Sequence, residues 1–227
     1  MFEQIFRPGF ADCSPTGRIR LDGLARWLQD VAYADVVEAR LADHAVWVVR
    51  RTRILVRRFP RFSETYRVAT FCSGMGRMWA ERRTSVTRPG EADSEVEAVS
   101  LWVHLDPVSW RPVPLTDDET SLYGTSANGR RVTARLRHPQ PAAEDEPSTW
   151  MFRSTELDIA GHINNSAYWQ PLEEELLAGE EPDGVDAEIE FRTPAQPGEK
   201  LILRSGPYRW IVSAEGETHA SILLAQD

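Results

Sequence analysis

The sequence predicts an α+β fold built from two tandem copies of one unit, each a helix set against an antiparallel sheet. A helical pattern followed by four strand-like segments occurs twice, the two series match collinearly, and helices and strands do not alternate as a parallel sheet with crossovers requires. Gly17-Arg18-Ile19-Arg20 precedes the first helical segment just as Gly161-His162-Ile163-Asn164 precedes the second. Farther along, Ile54-Leu55-Val56-Arg57 finds Ile189-Glu190-Phe191-Arg192, Ser73-Gly74 finds Ser205-Gly206, Trp79 finds Trp210, and Ala98-Val99-Ser100-Leu101 finds Ala220-Ser221-Ile222-Leu223.

In the first unit, Leu21, Leu24, Leu28, Val31 and Ala32 recur at helical spacing, and Trp27, Val36 and Ala39 broaden the apolar face. Residues 21–41 are therefore expected to form a long, largely buried helix. Segments 46–59, 65–72, 78–86 and 96–105 are rich in Val, Ile, Thr and aromatics between Pro or Gly punctuation, and read as strands. Residues 117–148 are polar and charged and contain Pro139, Pro141 and Pro147, the composition of a connection between units. The second unit begins with a strand at 150–154, then a helical pattern on Ile163, Ala167, Tyr168, Leu172 and Leu176, then four strands between 187 and 225. Pro171 lacks a backbone donor and is expected to kink that helix or to start a second helical piece. The units are thus placed at 1–116 and 149–227, joined by 117–148.

Composition narrows the function classes. A content of 41% hydrophobic and 27% charged residues is that of a folded, soluble protein. The formal charge of −9 argues against general nucleic-acid binding, which needs a basic footprint. No apolar run approaches the ~18 residues of a membrane span, and the N-terminus lacks a signal-like apolar region, so a cytoplasmic location without membrane association is the simplest expectation. Cys13 and Cys72 have neither CxxC spacing nor a nearby His, which speaks against a cysteine nucleophile. The histidines at 44, 104, 138, 162 and 219 show no metal-ligand spacing, and neither a Walker loop nor a GxGxxG fingerprint is present. No metal or cofactor is expected.

The chemistry concentrates in Asp158-Ile159-Ala160-Gly161-His162-Ile163-Asn164-Asn165. An acid and an imidazole four residues apart on a glycine turn can face one cleft, beside the unpaired N–H groups of a helix start. Asp158 is the candidate to orient or deprotonate water, or to attack directly; in isolation the same residue would serve as an Asx turn or cap. His162 can polarise a carbonyl or position Asp158. Asn164 and Asn165 are expected to hold the turn or cap the helix, and Gly161 to allow close approach and offer an N–H to an oxyanion. In the first unit Arg18 takes the place of His162, so the chemistry is expected only in the second. Glu173, Glu174 and Glu175 form an acidic run expected to be partly solvated, with one of them facing the cleft as a base being the alternative.

A helix wrapped by an antiparallel sheet, twice in tandem, with Asp-Ile-Ala-Gly-His-Ile-Asn-Asn opening the second helix, resembles the acyl-acyl-carrier-protein thioesterases of the hotdog superfamily. Arg18 to Asp30, Trp47-Val48-Val49-Arg50-Arg51-Thr52 and Trp79-Ala80-Glu81-Arg82-Arg83-Thr84 are similar to bacterial members. The resemblance implies a tandem double hotdog, two antiparallel sheets each wrapping a central helix. It also implies hydrolysis of the thioester between a fatty acyl chain and the phosphopantetheine arm of acyl-carrier protein, with Asp158, His162 and Asn164 as the catalytic set. Plant members are associated with an asparagine where Ala160 stands and a glutamate where Pro194 stands, so the resemblance does not carry over their detailed proton route. An acyl-CoA thioesterase and a catalytically inactive acyl-binding module are the alternatives.

An acidic enzyme must meet an acidic carrier protein through a local cationic surface. Arg50, Arg51, Arg53, Arg57, Arg58 and Arg130, Arg131, Arg135, Arg137 are the candidate clusters, one of them expected near the mouth of the acyl tunnel. The tunnel itself is expected between helix and sheet of the first unit, lined by Trp27, Val31, Met75, Met78 and Trp79. Pairing of the two units within one chain makes a monomer feasible, a homodimer being the other possibility.

Overall fold

The computed structural model describes residues 1–41, 46–142 and 146–225; His44 lies outside them. Ten strands form one antiparallel sheet: β1 (Phe2–Phe6), β2 (Val46–Val56), β3 (Tyr66–Met75), β4 (Trp79–Thr87), β5 (Val96–Leu105), β6 (Ser148–Phe152), β7 (Val185–Phe191), β8 (Gly198–Ser205), β9 (Tyr208–Val212) and β10 (Thr218–Leu224). Their order is β1-β3-β4-β5-β2-β7-β10-β9-β8-β6. Read outward from the β2–β7 junction, the two halves have the same connectivity. The expectation of two separate sheets is corrected: β2 and β7 pair over Arg51↔Glu190 to Val56↔Val185 and make the sheet continuous.

Charge complementarity explains that junction. Arg51 and Arg53 on β2 stand opposite Glu190 and Glu188 on β7, alternating with Thr52, Ile54, Ala187 and Ile189, which face the core. Arg53 pairs with Asp186, Arg51 lies 3.6 Å from Glu188, and Arg50 donates to the Phe191 and Arg192 carbonyls at 2.8 and 3.0 Å.

Helix α1 (Leu21–Glu38) buries Leu21, Leu24, Trp27, Leu28 and Val31 in the main core, as its spacing requires. It packs against β1 and β3 and touches α3 (Gln170–Leu177), whose approach is a 3₁₀ turn at Ala167–Trp169. Pro171 sits in the first turn of α3, where its missing N–H is harmless, and so starts a second helical piece. The acidic run beside it is partly solvated, as expected. Glu173 is buried, 2.7 Å from the equally buried Arg18, and accepts the Leu21 N–H at 2.9 Å, so one half caps the helix of the other. Glu175 pairs with Arg209, and only Glu174 is exposed.

Two elements were not anticipated. Strand β1 extends the first half as β6 extends the second, but Phe-Glu-Gln-Ile-Phe is too short and too little buried to show a clear period. The connection at 117–148 contains helix α2 (Asp117–Ala127), whose Thr116 and Glu119 form a capping box. Glu119 is fully buried and lies 3.2 Å from His104 Nε2, while Tyr123 and Ala127 pack with Leu41 and Cys72.

Beyond α2 the chain crosses the face of the sheet away from the helices. Arg130 bonds Glu81, the Val132 carbonyl accepts the Trp79 indole N–H, and Glu190 accepts the N–H groups of Arg137 and His138. His138 also meets Ser221 at 2.9 Å and Glu188 at 3.4 Å. His138, Glu188 and Glu190 have ligand-type atoms within 4.8 Å of one another, a grouping from separate segments that no sequence spacing could reveal. Backbone N–H groups and arginines already engage both carboxylates, and the cluster serves to fasten the crossing segment. Among the described residues, no helix is long and apolar enough to cross a membrane.

Candidate active site

The two glycine turns share one backbone design. Ser14 N–H bonds the Arg18 carbonyl at 2.8 Å, and Asp158 N–H bonds that of His162 at 2.9 Å. Gly17 N–H closes on Ser14 at 2.9 Å and Gly161 N–H on Asp158 at 3.0 Å, with φ of 85° and 74° respectively. Cys13 bridges Ile19 as Leu157 bridges Ile163. Asp158 therefore corresponds to Ser14, and His162 to Arg18.

Their surroundings differ. Arg18 is 1% exposed, clamped between Glu173 and Glu181 at 2.7 Å each and stacked over Phe59. Ser14 donates to Glu181 at 2.8 Å. That turn is closed by its own ion pairs. The second turn opens on a cleft of about 580 Å³, within the range of ligand sites. Asp158, Ile159, Ala160 and Asn164 form one edge, and α1 contributes Gln29, Tyr33 and Val36.

Asp158 is half-buried and accepts the Ala160 N–H through Oδ1 at 2.9 Å, leaving Oδ2 for another partner. Asn164 Oδ1 receives the Ser166 N–H at 2.9 Å, the Ser166 hydroxyl at 2.7 Å and Gln29 Nε2 at 3.3 Å. Its carbonyl being fully used, its NH₂ group is the free end. His162 is half-buried; its ring meets the edge of Trp110, 6.4 Å between centroids, and Trp110 lines the cleft. Asn165 is set apart from this cleft, in a narrow gap with Ala25, Trp169 and Phe191. Gly161 needs its positive φ, but its N–H is committed to the Asp158 carbonyl, which corrects its expected use as an oxyanion donor.

The support under the turn is specific. Ile163 N–H bonds the Ala195 carbonyl at 3.1 Å, the Tyr168 hydroxyl accepts the Ala195 N–H at 2.7 Å, and Gln196 donates to the Gly161 carbonyl at 3.2 Å. Burial pushes the Tyr168 phenol up to about 12, so it stays neutral. Pro194 thus belongs to the loop that carries the turn.

Sequence reasoning missed Gln29, Trp110, Trp47, Trp102 and Arg82 as cleft residues. Trp110 had a local signal in Asp106-Pro107-Val108-Ser109. Asp106 Oδ1 accepts the N–H groups of Val108 and Ser109 and the Ser109 hydroxyl, an Asx-type turn that presents Trp110 at φ 55°. None of Trp27, Val31, Met75, Met78 and Trp79 lines the cleft: Trp27 and Val31 are packed in the core, while Ala32, Tyr33 and Val36 on α1 face the space. Neither arginine cluster lines it. Arg50, Arg51 and Arg53 are spent on the β2–β7 junction and Arg130 on Glu81. Burial pushes the thiols of Cys13 and Cys72 up, which leaves neither as a ready thiolate.

Comparison with known proteins places the chain. Residues 1–123 match the acyl-ACP thioesterase N-terminal domain. An uncharacterized protein of Mycobacterium tuberculosis is 27% identical over 201 residues, 88% of this chain and 80% of that protein. An acyl-ACP thioesterase from Bacteroides thetaiotaomicron shares the fold with a TM-score of 0.79 at 16% identity, over 98% of this chain and 96% of that one. The 12:0-ACP thioesterase from Umbellularia californica does so with a TM-score of 0.76 at 16% identity, over 98% and 95%. Given a profile match across more than half its length, this chain belongs to the acyl-ACP thioesterase family of the hotdog fold.

Proposed function

We propose that the protein hydrolyses acyl-acyl-carrier-protein thioesters, releasing the free fatty acid and the carrier's thiol. The reading rests above all on one observation: of two turns with the same hydrogen bonds, the one bearing Asp158 and His162 opens on a ligand-sized cleft. The units are read as a tandem double hotdog, 1–116 binding the acyl chain and 149–227 supplying the catalytic turn.

Hydrolysis needs an activated water and a polarised carbonyl; a thiolate leaves readily. Asp158, with Oδ1 tied to Ala160, orients and deprotonates the water through Oδ2. The Asn164 NH₂ group, fixed by the three hydrogen bonds to its own carbonyl, donates to the thioester oxygen. His162, its ring oriented by Trp110, stabilises the developing charge, and Asp158 gives the proton it took from water to the departing thiolate. Asn165 and Gly161 shape the turn. Neither metal nor cofactor has a part in this scheme.

The test is thiol release from matched acyl-carrier-protein and acyl-CoA thioesters by the purified protein. Turnover with higher kcat/KM on the carrier-protein series is expected. Higher kcat/KM on CoA would favour the general acyl-CoA thioesterase. Lipid binding without turnover would make the protein an acyl-binding module, for which the substitutions Ala160 and Pro194 would then be the explanation.

A further inference from the structure

The cleft is not uniformly apolar. Arg82, on β4, lines it with a side chain only 9% exposed. Its Nη1 bonds Asp35 Oδ2 at 2.6 Å and lies 3.3 Å from Thr70 Oγ1; Nε and Nη2 have no acceptor among the described residues. The guanidinium lies 5.9 Å over the ring of Tyr123, which also lines the cleft and whose buried hydroxyl has no partner among the described residues. Burial pushes that phenol up to about 12, so it keeps its proton and is available as a donor. The indole N–H groups of Trp47 and Trp102, both cleft residues, also lack acceptors among the described residues.

Among the described residues, Arg82, Tyr123, Trp47 and Trp102 thus bring unpaired donors to the cleft. Buried donors are ordinarily satisfied, and a plain alkyl chain would cover these without pairing any of them. An oxygen on the acyl group would pair with Arg82 and Tyr123 and leave the Asp35 bridge intact. On α1, Gln29 bonds Asn164 and Asp35 bonds Arg82, and six residues at the helical rise separate the two by about 9 Å, so that oxygen would stand well along the chain from the thioester.

We propose that Arg82 and Tyr123 recognise a hydroxyl or keto oxygen on the distal part of the acyl group, making oxygenated acyl thioesters preferred over plain alkyl ones. The proposal rests on the thioesterase reading of this cleft and names its substrate class.

The test uses thioesters of equal chain length, unsubstituted or hydroxylated at successive positions, with wild type, Tyr123→Phe and the double variant Arg82→Met/Asp35→Asn, which leaves no lone buried charge. Wild type is expected to show a kcat/KM at least tenfold higher for a distally hydroxylated member, and each variant to lose that preference. Preference for the plain chain, or a hydroxyl preference that survives both variants, would overturn the proposal. Binding of the corresponding free acids, followed by tryptophan fluorescence, separates it from the thioesterase reading. Tighter binding of the hydroxylated acid, lost in the variants, supports it even if no thioester turns over, and equal binding overturns it whatever the turnover.

Discussion

Ser14 and Arg18 in one turn, and Asp158 and His162 in the other, differ more in their surroundings than in their backbone. Arg18 is enclosed by two carboxylates, whereas the His162 ring meets the edge of Trp110. Trp110 reaches that place because the Asp106 turn holds it at positive φ, which a non-glycine residue adopts only under constraint. Trp110→Ala is expected to lower kcat/KM by about 10²-fold through misplacement of His162, with little change in Tm, since Trp110 is 47% exposed. Steady-state kinetics beside a thermal melt checks this. The turn that carries Asp158 and His162 was legible in the sequence because its glycine spacing is local. Gln29 and Arg82 were not, because their parts depend on how α1 and β4 meet residues far away in the chain.

At the scale of elements, α1 followed from its periodicity, and the β2–β7 pairing had a readable sign in Arg51-Thr52-Arg53 against Glu188-Ile189-Glu190. Helix α2 was hidden by its polar composition, although Thr-Asp-Asp-Glu announced its start. Through Tyr123 it walls the cleft. Thr116→Ala removes the cap and is expected to cost about 1 kcal/mol, seen as a lower urea midpoint and as faster proteolysis within 117–127 than elsewhere. The α1 cap is stronger. Glu173→Gln weakens the partner of the buried Arg18 and is expected to cost about 3 kcal/mol by the same unfolding measurement, even with Glu181 in place.

At the scale of the molecule, pH acts through groups distributed over both halves. Burial acts to raise the Glu188 carboxyl, but His138 and Arg51 outweigh it and hold it below its ordinary 4.5. Burial opposes Arg20 and Arg26 in the same way at Asp22, which lies below its ordinary 3.8. Depressed carboxyls stabilise the fold above their ordinary values, and that contribution is lost as pH falls through the folded ones. His219, in contrast, is held neutral by burial and lowered from 6.5, so folding loses stability as soon as pH drops below 6.5 and the unfolded histidine charges. A melt series is expected to show a shallow fall in Tm starting near 6.5, absent in His219→Gln, and a steep fall below 4.5. A Tm that rises as pH drops from 7 to 5 would contradict this assignment.

The repeat ties these scales together, since one backbone unit used twice leaves a closed turn in the first half and an open one in the second. The most direct measurement of that claim is kcat for thiol release from an acyl-carrier-protein thioester by wild type and Asp158→Asn, compared at matched Tm. A fall of at least about 10²-fold is expected if Asp158 activates the attacking water. An Asp158→Asn protein that turned over at the wild-type rate would contradict the account.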